Sequence, residues 1–263
     1  MDAREIKAHI NGYYATLYAR ERAVALPIKT GRELAGELGY PLDALDEVVS
    51  EDYWHWFIPC GNPLPYISPH PGSRILNLGC GAALDSFALL SLYGPSVQIV
   101  SMDIVPDILQ RARSKAFGLN EQGNRLHWAC GDGESLPFGN GLFDWVLMNG
   151  VFNLFPDKPS VLKEVMRVLK PGAGLVCADL CLVDQLPSYF DDEPDAWAWC
   201  MSGAVTAKDL LCMLDAAGFG SIRLLEEEPG DLFRRIVFSC RREVQDERGG
   251  ASPPIPLELP QPS

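Results

Sequence analysis

Two glycines and a carboxylate pose the first chemical question in this sequence. Gly79-Cys80-Gly81 closes a short apolar run, and glycines at such a point let the backbone turn tightly beneath a ligand at the start of the next helix. Asp103 ends the next apolar run, about 20 residues further on, where a carboxylate accepts hydrogen bonds from two ribose hydroxyls. Glycines and carboxylate in that order predict a nucleoside-bearing cofactor. A third run leads into Cys130-Gly131-Asp132-Gly133-Glu134, where Asp132 can accept from a purine amine while Met102 and Ile104 sandwich the ring. Asn149 stands at the end of a fourth run, on the same expected edge. A competing reading makes all of these ordinary turn residues, and a nicotinamide cofactor would use the same ribose carboxylate.

These residues need elements to position them. Apolar runs at 74–78, 98–102, 125–129, 145–148 and 174–180 read as strands, alternating with helical patterns at 84–93, 106–117 and 159–169. Such alternation predicts an α/β fold: a doubly wound, mostly parallel sheet with right-handed crossovers and its ligand at the strand C-termini. Lys170-Pro171-Gly172 stops the third helix, since proline cannot continue it. Residues 1–70 read as an N-terminal helical cap: Ile6, Ile10, Tyr13, Tyr14 and Leu17 recur at helical spacing, and 42–56 repeats the pattern as a further helix. A Pro/Asp/Trp-rich stretch at 183–205 reads as a capping insertion, and 207–217 as a helix between Thr206 and Gly218. Runs at 221–225 and 235–240 read as a C-terminal antiparallel hairpin at the sheet edge. The main domain thus runs 71–242, and the proline-rich tail at 243–263 reads as disordered.

A formal net charge of -13 repels phosphate backbones and anionic lipid, so neither a nucleic acid nor a membrane is the expected partner. The start, Met1-Asp2-Ala3-Arg4-Glu5, carries charge where a signal needs an apolar core, and no apolar stretch reaches the about 20 residues of a membrane span. The expected location is therefore the cytoplasm. The 8 cysteines form no C-x-x-C pair, which points to reduced core or site thiols.

Longer stretches carry a resemblance. Cys60-Gly61-Asn62-Pro63, Ile75-Leu76-Asn77-Leu78-Gly79-Cys80-Gly81 with Asp85, and Met148-Asn149-Gly150-Val151-Phe152-Asn153-Leu154-Phe155-Pro156-Asp157-Lys158 are its first parts. Val165-Met166-Arg167-Val168-Leu169-Lys170-Pro171-Gly172 and Cys200-Met201-Ser202-Gly203-Ala204 complete it. Together they resemble class I S-adenosylmethionine-dependent methyltransferases and, within them, the arsenite methyltransferases. The resemblance implies a seven-stranded Rossmann-like sheet and S-adenosyl-L-methionine as cofactor. It also implies a small-molecule methyl acceptor, and Asn77, Gly79, Gly81, Asp103, Ile104, Asp132, Gly133 and Asn149 as the cofactor-binding residues. Asn77 stands where the family usually has an acidic residue, and Ala83 where it often has a further glycine.

In arsenite methyltransferases cysteine thiolates bind trivalent arsenic, a soft, thiophilic centre. The resemblance places Cys60 and Cys200 at two of those positions, as the catalytic pair. The third, directly after Asn149, is Gly150, and the family's additional N-terminal cysteine has no counterpart before Cys60. A trigonal arsenic site would then need Cys181, Cys80 or an exogenous thiol. In the alternative, the cysteines are buried hydrophobes and Gly150 makes room for an organic acceptor. Tyr53, Trp54, Trp56, Phe152, Trp197 and Trp199 would line its pocket, or simply pack the core. An oxygen or carbon acceptor that must be deprotonated needs a general base, for which His55 and His70 are candidates. A cofactor-binding protein without catalysis is the remaining class.

Overall fold

A computed structural model of the chain describes residues 1–19, 29–116, 125–193 and 195–244. It begins with α1 (Ala3–Ala19), α2 (Gly31–Glu37) and α3 (Leu42–Asp46), followed by a 3-10 turn at Glu51–Trp56. The helix expected at 42–56 is therefore broken. Val48, Val49 and Ser50 lie at the break; β-branched side chains crowd the preceding turn, and Ser50 takes an extended backbone with φ -73° and ψ 160°.

From Arg74 strands and helices alternate: β1 (Arg74–Leu78), α4 (Leu84–Tyr93), β2 (Gln98–Asp103), α5 (Pro106–Lys115), β3 (Leu126–Cys130), β4 (Phe143–Asn149), α6 (Lys158–Val168) and β5 (Leu169–Leu182). The short α7 (Asp195–Ala198) and then α8 (Ala207–Ala216) precede β6 (Phe219–Glu228) and β7 (Phe233–Arg242). Local chemistry sets the boundaries. Asp157 caps α6 by accepting from Ser160 N at 3.1 Å, and Thr206 caps α8 by accepting from Asp209 N at 3.2 Å. Leu169 turns extended after α6, so Lys170, Pro171 and Gly172 begin β5 rather than a loop.

The strands form one sheet in the order β3-β2-β1-β4-β5-β7-β6. β1 to β5 pair in parallel, while β7 runs antiparallel to both β5 and β6. This is the doubly wound sheet with an edge hairpin that the alternation predicts. Period-2 alternation sorts the side chains: Ile75, Ile99 and Leu147 pack toward α4 and α5, whereas Leu76, Val146 and Leu175 pack toward α6 and α8. Each such fully buried aliphatic side chain contributes about 1.5–3 kcal/mol.

The chain leaves β1 outward through β2 and β3, then returns to β4 on the other side of β1. Crossovers diverging at that point open a crevice at the carboxyl ends of β1 and β4. Above it, α1 is fastened to the segment around α7: Tyr14 Oη donates to Ala198 O at 2.8 Å, and Trp199 Nε1 donates to Tyr13 Oη at 2.8 Å. The expected tail lies outside the described residues from 245 onward. Among the described residues no helix is long and apolar enough to cross a membrane.

Candidate active site

A cleft of about 990 Å³ opens at the crevice. Gly79 and Gly81 turn beneath it with φ of 70° and 48°, and a Cβ at Gly79 would lie 2.3 Å from Val151 Cγ2. Only glycine meets both demands. Asp103 is held at the end of β2 by backbone donors: Gly81 N gives to Oδ2 at 2.8 Å and Val105 N to Oδ1 at 3.0 Å. Burial pushes its carboxyl above the usual range, against the N–H groups of Val105, Gly81 and Ile104. The carboxylate keeps acceptor capacity beyond these N–H groups, which is the chemistry that adjacent hydroxyls require. The glycine turn and the Asp103 acceptor in one cleft therefore fit a nucleoside-bearing cofactor.

Ile104, Asp132, Gly133 and Asn149 line the same cleft. Asp132 accepts from Lys7 Nζ at 2.6 Å, and Glu134 pairs with the same ammonium, so α1 is tied to the far wall. Two expected residues lie elsewhere. Met102 is fully buried beneath Gly131 instead of facing a purine, because it points to the opposite side of β2 from its neighbour. Asn77 is buried behind the cleft, its Nδ2 donating to Ser86 Oγ at 2.9 Å and its Oδ1 without a partner among the described residues.

Asn149 has a second office. Its Oδ1 accepts from Cys60 N at 2.9 Å, and its Nδ2 donates to Tyr40 Oη at 2.9 Å and Gly61 O at 3.1 Å. It thereby pins the Cys60 loop to the end of β4. Asp85 supports the same joint, accepting from Tyr40 Oη at 2.6 Å; burial pushes its carboxyl up to about 6.

A second cleft, of about 1020 Å³, shares Tyr14, Ile58, Pro59 and Gly150 with the first. Tyr13, Leu17, Leu34, Trp199 and Phe233 make it apolar, and Cys60 and Cys200 stand in its wall. The two Sγ atoms and a carboxylate oxygen of Asp179 all lie within 4.8 Å of one another. Cys200 takes a left-handed backbone, φ 62°, a conformation costing about 1–3 kcal/mol that persists only where its surroundings enforce it. Its Sγ donates to Gly150 O at 3.2 Å. The Cys60 hydrogen bond, burial and nearby Asp179 hold its thiol well above the usual value. A Cβ at Gly150 would lie 3.2 Å from Cys60 Sγ, so a side chain there would enter this cluster.

Asp179 escaped the sequence reading, although a carboxylate in the apolar middle of β5 was a usable signal. Burial raises it to about 6, opposed by N–H groups of Leu180 and Asn153 and by nearby Lys158, whose ammonium burial lowers to about 8. The thiols considered as a third ligand are not in the cluster. Cys181 is buried, its Sγ donating to Val205 O at 3.2 Å, and Cys80 lines the first cleft. His55 and His70 line neither cleft; His70 is exposed, 3.4 Å from Asp144. Of the six aromatics, Trp56 lines the first cleft and Trp199 the second, while Tyr53, Trp54 and Phe152 are core.

Residues 69–218 match the model of a methyltransferase domain family. The chain belongs to the methyltransferase domain family. This methyltransferase-domain chain is 30% identical over 196 residues to the arsenite methyltransferase of Halobacterium salinarum, covering 74% of the chain and 49% of that protein. It is 29% identical over 230 residues to the demethylmenaquinone methyltransferase of Lactococcus lactis, covering 84% and 86%. Among solved structures, an arsenic(III) S-adenosylmethionine methyltransferase from Chlamydomonas reinhardtii matches at TM-score 0.66 and 28% identity, covering 77% of this chain and 72% of that one. The family member described here is thus arsenite-methyltransferase-like, but it spans about half the length of the first such curated relatives, 49% and 47%.

Proposed function

We propose that this methyltransferase-domain protein transfers a methyl group from S-adenosyl-L-methionine to trivalent arsenic held by Cys60 and Cys200. The observation that carries this reading is the cluster of two thiols and Asp179: Cys60 and Cys200 line the second cleft beside Gly150, which also lines the first. The relatives that methylate arsenite support it.

When bound, the cofactor supplies a methyl group already activated on a sulfonium, so transfer needs a nucleophile in line at about 3 Å rather than a strong base. The chain's residues do the rest. Asp103 accepts from the ribose hydroxyls, Ile104 covers a purine face, and Asp132 accepts from its amine beside the Lys7 ammonium. Gly79, Gly81 and Gly133 let the backbone approach, while Asn149 fixes the Cys60 loop. Cys60 and Cys200 bind arsenic as thiolates, which leaves it a lone pair as the nucleophile. Cys60→Ser and Cys200→Ser should each abolish arsenite binding in a titration and leave S-adenosylmethionine affinity unchanged. Arsenite binding retained in both variants removes the thiols from the mechanism.

A second reading is favoured by the apolar walls of the second cleft and by Gly150, which together leave room for an organic acceptor. The cysteines are then structural, and both serine variants would keep full turnover with that acceptor.

A further inference from the structure

Trivalent arsenic has three valences, and the cluster offers two thiols. Arsenous acid reacting with Cys60 and Cys200 exchanges two arsenic–oxygen bonds for two arsenic–sulfur bonds; each thiol proton leaves on a hydroxide as water. Arsenic keeps its oxidation state and one hydroxyl. Resting on the thiol reading above, we propose that Asp179 binds this hydroxyl as hydrogen-bond acceptor and so orients the third ligand of arsenic, where no third thiolate is present.

The geometry is that of a fixed acceptor. Asp179 is 1% exposed: Asn153 Nδ2 at 2.9 Å and Leu180 N at 2.7 Å reach Oδ1, Asn153 N at 3.1 Å reaches Oδ2, and the Phe152 N–H and the Cys200 thiol also act on the carboxylate. Oδ1 is filled and Oδ2 keeps acceptor capacity. A carboxylate oxygen lies within 4.8 Å of both sulfurs, a span that an arsenic-bound hydroxyl can bridge. Gly150 presents no side chain to the cluster, where a Cβ would lie 3.2 Å from Cys60 Sγ. A charge-assisted bond from hydroxyl to carboxylate is about twice as strong as a neutral one, and stronger still away from water.

Two probes separate this role from a structural one. Phenylarsonous acid loses both of its hydroxyls to the same two thiols, so its adduct has none left for Asp179. In Asp179→Asn, keeping the amide oxygen with Asn153 Nδ2 and Leu180 N puts the NH2 at the Oδ2 position, so a donor replaces the oxygen that keeps acceptor capacity. Calorimetry without added thiol should show arsenite affinity falling about tenfold or more while phenylarsonous acid changes by less than about twofold. Equal losses for both probes, or no loss for either, overturn the proposal. The unaltered chain gives an answer free of any folding defect in the variant. Arsenic-edge X-ray absorption should find two sulfurs and one oxygen around arsenic, and three sulfurs overturn the proposal. If Cys60→Ser and Cys200→Ser bind phenylarsonous acid as tightly as the unaltered chain, the thiol reading itself falls and takes the Asp179 role with it. That pattern differs from a failure in Asp179→Asn alone.

Discussion

The two clefts at the carboxyl edge of the sheet are built by different means. The first is made by the sheet: strand ends deliver Gly79, Asp103 and Asp132, and backbone N–H groups fix the Asp103 carboxylate. The second is assembled from segments far apart in the chain, with α1, the Cys60 loop and the turn after α7 meeting over β5. Sheet topology dictates the first arrangement in any chain with this strand order, whereas the second depends on loops that vary freely. One fold can therefore keep a common donor site and change the acceptor.

Removing the thiols breaks this comparison most sharply. Cys60→Ser or Cys200→Ser should eliminate arsenite-dependent turnover with the first cleft intact, as a turnover assay beside a cofactor titration will show. Loss of cofactor affinity in the same variants would mean that the clefts are not separable.

Asp85 lines the first cleft and holds Tyr40, which is bonded to Asn149 beneath the Cys60 loop, and its effect is on pH dependence. Its folded value of about 6 lies above the ordinary carboxylate value of 3.8, so the unfolded chain releases its proton first. The Asp85 contribution to stability therefore falls as pH rises from about 4 to about 6, and is constant above that. Asp85→Asn removes this decline, so its unfolding free energy relative to the unaltered chain should rise by about 3 kcal/mol over that window. Denaturant titrations at a series of pH values check it; a difference that does not change with pH would contradict it.

Asp103→Ala tests the sheet-built cleft alone. It leaves the ribose hydroxyls without their acceptor and should weaken S-adenosylmethionine binding more than about tenfold. Calorimetry giving unchanged affinity would remove Asp103 from the site. Lys7→Ala is the smallest change. The Lys7 side chain is 27% exposed, so its pairing with Asp132 and Glu134 is worth less than about 1 kcal/mol and fades with salt. A loss of cofactor affinity larger than about fivefold would make α1 an integral wall of the cleft rather than a cover.

What was legible in the sequence follows the same division. Strand alternation, the glycine turn and Asp103 are local patterns, so the parallel sheet and the place of Gly79, Gly81 and Asp103 at its carboxyl edge follow from them, whereas the strand order does not. Met102 was misplaced because a strand end does not declare which face its last apolar residue takes. The second cleft depends on long-range packing: no periodicity brings Tyr14, Trp199 and Cys60 together, and the cysteines were found only through resemblance. Cys181 was a candidate third ligand by its place on β5, yet it is Asp179, two residues earlier, whose carboxylate lies within 4.8 Å of both sulfurs. The break at Val48-Val49-Ser50 went unseen because an apolar repeat does not register backbone crowding.

The most direct test of the central claim is release of S-adenosylhomocysteine from the pure protein with S-adenosylmethionine, arsenite and excess small thiol, set against the same mixture without arsenite. Release that depends on arsenite, and is lost in Cys200→Ser, is the predicted result. No release despite demonstrated cofactor binding would contradict it and turn the second cleft over to an organic acceptor.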